Sequence, residues 1–122
     1  MQREIFIPYN LPALRWVDTE TVKSWASWRE AVIWCWENRE LGDGDDVGDQ
    51  VMFRRFAAQF YDKKMHAPHM SSWFNKHTKA PMDMPQDLAH ALEGFTGWRG
   101  LTQYFNRSVK ATCLEELQAR VA

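Results

Sequence analysis

Residues 67–76 read Ala67-Pro68-His69-Met70-Ser71-Ser72-Trp73-Phe74-Asn75-Lys76. Proline is well placed in a first helical turn, where its missing N–H costs nothing. Met70, Trp73 and Phe74 recur at i, i+3 and i+4, so one face of the segment is apolar. His69, Ser71, Ser72, Asn75 and Lys76 fall on the remaining faces. The pattern predicts a short helix over about 68–76. Upstream, Val51, Phe53, Phe56, Ala57 and Phe60 mark the apolar side of another helix, from near Asp49 to about Tyr61. The two are joined by residues 62–67. Paired short helices of this kind predict a helix-turn-helix, in which one side of the second helix packs inward and the other meets base edges in the major groove.

The rest of the chain supports a mainly helical fold. Asp18 or Thr19 is positioned to cap a helix running to about Glu40, with Val22, Trp25, Ala26, Val32, Ile33 and Trp36 at helical spacing. Leu41-Gly42-Asp43-Gly44-Asp45-Asp46-Val47-Gly48 reads as an acidic loop by its glycines. Pro85 opens a further helix to about Phe95, with Gly94 and Gly97 at its end. A short helix around 101–105 and a last one around 112–121 complete the set. Glu4-Ile5-Phe6-Ile7 fits one short strand, and Pro8 and Pro12 break any helix there. The expectation is an all-α domain of five to six helices around a helix-turn-helix core. It divides into an arm over 1–17, a Trp-rich helix and acidic loop over 18–47, the core over 48–106 and a C-terminal helix over 107–122.

Charge is unevenly distributed. The net charge is −1, which does not mark a general nucleic-acid binder. Residues 1–47 hold five Lys or Arg against nine Asp or Glu, whereas residues 48–80 hold six (Arg54, Arg55, Lys63, Lys64, Lys76, Lys79) against two. His66, His69 and His77 fall in the same basic third. A basic block between acidic ones is the pattern of a localised DNA-facing surface. Asn suits adenine, Ser tolerates several bases, and Lys suits guanine or phosphate. Lys63, Lys64 and Lys79 flank the helix where backbone phosphates would pass.

The segment from Ala67 to Asn75 resembles the recognition helix of lambda-repressor-like phage and bacterial regulators. Their pattern of a hydrophobic residue, Ser, any residue, Trp, one more residue and then Asn or a turn is met by Met70, Ser71, Trp73 and Asn75. The continuation through Pro81, Met82, Leu88, Leu92, Thr96, Gly97 and Leu101 is similar to the following helices of that fold, especially in CII-type phage regulatory proteins. The resemblance spans roughly residues 50–105. It implies His69, Ser71, Ser72 and Asn75 as base-contacting residues, and Lys63, Lys64, Lys76 and Lys79 as backbone-contacting ones. The family usually places a glycine in the tight turn, and residues 62–66 contain none.

Seven Trp in 122 residues require a dense aromatic core or a sizeable interface. On one helix Trp25, Trp28, Trp34 and Trp36 spread around the circumference. They are therefore expected to supply a homo-oligomer or partner interface, and two-fold assembly suits a regulator that reads paired half-sites. No metal site is expected. His66 and His69 have no nearby Cys to complete a ligand set. The acidic loop has Val47 and Arg54 where a calcium loop needs oxygen ligands, and reads as a solvated face. Cys35 and Cys113 have no metal-type spacing and read as reduced and structural. No phosphate loop, nucleophile elbow or catalytic His motif is present, so no cofactor and no catalysis are expected. With no signal-peptide pattern and no long apolar run, the expected location is the cytoplasm. The expected function is a phage or bacterial regulator that binds double-stranded DNA by operator occupancy through residues 68–76. The alternative is a helical protein-interaction module, such as a phage-encoded inhibitor of a host protein.

Overall fold

The computed structural model describes residues 13–108 and 114–121. The protein is all-α: the described residues form seven α-helices and one 3₁₀ turn, and no strand. They are α1 (Thr19–Ser24), α2 (Trp28–Glu37), α3 (Asp46–Tyr61), α4 (Ala67–Phe74), α5 (Ala89–Thr96), α6 (Gly100–Ser108) and α7 (Leu114–Val121). The strand expected over residues 4–7 lies outside the described residues. No described helix is long and apolar enough to cross a membrane.

The single helix expected over 18–40 is two helices, and the reason is local. Asp18 caps α1, accepting from the Thr21 N–H at 3.1 Å. Ser27 then caps α2, accepting from the Glu30 N–H at 3.2 Å, while the Glu30 carboxylate accepts from the Ala26 N–H. Ser27-Trp28-Arg29-Glu30 is thus a capping-box sequence inside an apparently continuous apolar pattern. Trp25 at the junction takes an extended conformation. The extra break raises the helix number above the expected five to six.

α2 is the central element. Ala31, Val32, Ile33, Cys35 and Trp36 are all buried, because α6 packs along one side of the helix and α4 and α5 along others. α3 lies across α5 and α4. One aromatic cluster joins these helices: Trp36 stacks on Phe74 with ring centroids 4.2 Å apart, and Phe53, Phe56 and Phe95 close around them.

α3 begins at Asp46, earlier than the expected Asp49, because Asp45 caps it through the Gly48 N–H. Asp49 therefore sits in the first turn and is fully buried, not part of a solvated acidic face. Its carboxylate accepts from Arg39 at 2.8 Å and from the N–H groups of Asp43 and Gly44, each at 3.1 Å. Gly42 and Gly44 make this possible: both hold positive φ, at 98° and 97°, which turns the loop amides toward the carboxylate.

The missing turn glycine after α3 also has a structural answer. Asp62 adopts the left-handed conformation, with φ 52° and ψ 41°, and the Lys63 N–H returns to the Ala57 carbonyl at 3.1 Å. Asp tolerates this region better than most residues.

The helix opened by Pro85 begins as a 3₁₀ turn, Gln86–Leu88, and continues as α5 to a left-handed Gly97. Beyond it, Gln103 of α6 clamps the segment before α1: its side chain accepts from the Val17 N–H and donates to the Val17 carbonyl. Glu116 of α7 accepts from Gln103, Arg107 and Arg120, which ties α7 to α6.

Glu93 of α5 is also buried, and accepts from the Thr102 N–H at 2.7 Å and the Thr102 hydroxyl at 3.0 Å, at the start of α6. Burial pushes its carboxyl above the usual carboxylate range, against the pull of Thr102, His90 and Arg99; Tyr61 and Cys35 also lie within its field. A folded-state pKa above the unfolded one means stability falls as pH rises from the unfolded value through the folded one. Glu93→Gln is therefore expected to be more stable than the parent at about pH 7, with the difference closing toward about pH 4. Urea unfolding at both pH values checks this; a variant weaker at neutral pH would show that ionised Glu93 stabilises the fold.

Candidate nucleic-acid interface

α4 is built from its two faces. Met70, Trp73 and Phe74 are buried, as their spacing predicts. His69, Ser71 and Asn75 are exposed and Ser72 is half-buried. The helix is shorter than expected, because it closes at Phe74 and Asn75 becomes its C-cap. The Asn75 side chain accepts from the His77 N–H at 2.9 Å, so it is folded over the following turn. His69 lies against His66, with ring centroids 4.5 Å apart, and near Trp73.

The four lysines fall at the two ends of α4. At its N-terminal side Lys63 pairs with Asp87 at 3.5 Å, and Lys64 is exposed without an ion-pair partner among the described residues. At its C-terminal side Lys76 pairs with Glu37 at 3.6 Å, and Lys79 is exposed and likewise unpaired among the described residues. Exposed pairs of this length contribute little and exchange readily for another anion. Asp62, Asp87 and Glu37 lie among these cations, so the surface is mixed in sign.

The structure adds two residues that the sequence pattern did not single out. Gln50 of α3 accepts from the Ser71 hydroxyl at 3.4 Å, which brings α3 beside the outer face of α4. Arg54 follows one turn later and is exposed. Arg29 of α2 reaches the other end, donating to the Asn75 carbonyl at 2.9 Å and to the Ser72 carbonyl at 3.5 Å. Neither set of contacts is visible as a periodicity, because each joins residues far apart in sequence.

The tryptophans expected at an interface divide. Trp25 and Trp36 are buried in the chain's own core, at 9 % and 1 % exposure, so they offer nothing to a partner. The break at residues 25–27 is the cause, since it rotates Trp25 away from the register of α2. Trp28 and Trp34 are half-buried. The Trp28 indole N–H donates to the Met84 carbonyl at 2.7 Å, and Trp34 packs between Trp25 and Trp98. Cys35 is fully buried, and loss of contact with water pushes its thiol well above the ordinary range. A thiol held in its protonated form is a poor nucleophile.

No family model matches this sequence, and no curated protein or solved structure matches it significantly.

Proposed function

We propose that this protein is a sequence-specific, DNA-binding regulator of phage or bacterial type, with the outer face of α4 in the major groove. The observation that carries this reading is the layout of α4. Its apolar side is fully engaged, its outer side presents His69, Ser71, half-buried Ser72 and the Asn75 cap, and lysines stand at both ends. A helix with its side chains is about 10–12 Å across, which the roughly 12 Å wide major groove admits. Lys63 and Lys64 on one side and Lys76 and Lys79 on the other then face phosphates, and Gln50 and Arg54 extend the same surface. Operator occupancy requires no cofactor and no chemistry, and two-fold assembly would match paired half-sites.

The test is selection from a random duplex pool, followed by titration of the enriched duplex at several salt concentrations with a shuffled duplex as competitor. Competitor-resistant binding is expected, with a slope of log K against log salt of about −3 to −4 for four lysine contacts. Lys64→Ala and Lys79→Ala should each reduce that slope by about 0.9. Absence of enrichment removes this reading.

A second reading, a helical module that binds a protein such as a host factor targeted by a phage, has its own observation. Val47 and Val51 lie one turn apart on the outer side of α3 and are exposed at 73 % and 37 %. Contiguous exposed apolar surface rimmed by polar residues marks protein–protein interaction sites.

A further inference from the structure

We infer that Arg29 is the residue that sets the pose of α4: a positioning residue that fixes the C-terminal end of this helix and the loop after it to α2. The argument begins with what α4 lacks. A helix end leaves carbonyls unpaired and carries partial negative charge, which a cation in the last turn usually answers. α4 has no basic residue in its last turn. Lys76 lies beyond the cap and turns to Glu37. The guanidinium of Arg29 takes the place of a last-turn cation from a different helix, bonding the carbonyls of Ser72 and Asn75.

Those two carbonyls are also the points from which the following loop hangs. The Met82 N–H donates to the Ser72 carbonyl at 3.2 Å, and the Thr78 N–H donates to the Asn75 carbonyl at 3.2 Å. Trp28, the neighbour of Arg29 at the start of α2, holds the far end of the same loop through Met84. One end of α2 therefore grips both the last turn of α4 and residues 75–84, which carry Lys76 and Lys79. Arg29 is anchored at the capping box that begins α2, so its backbone is fixed independently of α4. At the opposite end of α4, His66 makes no side-chain cap. The orientation of the helix is thus set by its buried face, by the Ser71–Gln50 hydrogen bond on its outer side and, at its C-terminal end, by this clamp.

The consequence for recognition rests on the reading of α4 as the DNA-contacting helix. Base contacts demand a defined helix pose, whereas phosphate contacts by flexible lysines do not. Arg29 should therefore control discrimination between sequences and not the number of phosphates bound.

The test uses the full chain with Arg29→Met, which keeps the aliphatic stem, and Arg29→Lys, which keeps the charge but loses the fork. The probes are the duplex enriched by the parent protein and a shuffled duplex of the same composition. Arg29→Met is expected to lower the ratio of specific to shuffled affinity by about tenfold with the salt slope unchanged, and Arg29→Lys to recover part of it. Equal losses on both duplexes, or no loss, would overturn a positioning role in recognition. Amide hydrogen exchange separates this outcome from failure of the DNA reading itself. In Arg29→Met the Asn75 and Met82 amides should exchange about tenfold faster while those of α3 stay unchanged. Unchanged exchange at Asn75 and Met82 would overturn the clamp whether or not the protein binds DNA.

Discussion

Asp49→Ala is expected to destabilise the protein by about 3–5 kcal/mol, the cost of removing one member of a buried ion pair. The carboxylate is buried completely, and the Arg39 side chain is only 8 % exposed. Removing it leaves that guanidinium, which lies 4.3 Å over the Trp36 ring, with only the exposed carboxylate of Asp46, at 3.1 Å, as its anion. It also leaves the N–H groups of Asp43 and Gly44 without an acceptor, so the turn between α2 and α3 loses its organising centre. Asp49→Asn keeps the volume and one acceptor and should fall between the two. Burial on its own would raise the Asp49 pKa, but Arg39 and the two loop amides outweigh it and hold the carboxyl below the usual range. A depressed folded-state pKa contributes stability that is present above the unfolded value and lost as pH falls through the folded one. The gap between the parent and Asp49→Ala should therefore be full at about pH 7 and narrow in acid below about pH 4. Urea midpoints across this range measure it; a loss below about 1 kcal/mol at neutral pH would mean the loop is held by other contacts.

Trp36→Ala should cost a similar about 3–5 kcal/mol, as expected for a large aromatic side chain removed from a packed core. The ring is 1 % exposed and lies nearly parallel to Phe74, and also to Phe95 at 6.0 Å. Phe74 belongs to α4 and Phe95 to α5, so the cavity opens where α2 meets both. Loss of near-ultraviolet dichroism around the aromatic cluster should accompany the lower urea midpoint. The same change separates core from interface. A Trp36→Ala protein of normal stability but altered self-association would place the ring at a contact between chains, against its burial here. Neither this experiment nor Asp49→Ala depends on what the protein binds.

The amphipathic face of α4 was legible from Met70, Trp73 and Phe74, since their spacing is a local property of the helix. So were the end of α5 near Gly97 and the helical character of the segments that the apolar spacing marked. The break at Trp25 was legible in principle: Ser27 and Glu30 form a capping box, but a run of apolar residues at helical spacing masked it. Local spacing did not assign roles to the polar residues. Asp49 stood in a run of acidic residues, and only its burial, with the Asp43 and Gly44 amides turned onto it beside Arg39, separates it from its solvated neighbours. Asn75 stood at the right offset for a base contact, yet as the cap of α4 it uses its side chain on the His77 amide.

From the sequence alone came the all-α class, the position of α4 and the concentration of cations around it, because helical periodicity and charge are properties of neighbouring residues. Only the tertiary structure decided which tryptophans are core, that Asp49 is buried against Arg39, and that Arg29 closes the end of α4. The physical reason is the same in each case. A buried polar or aromatic group is defined by the partner that desolvates it or satisfies its hydrogen bonds, and packing brings that partner from another element.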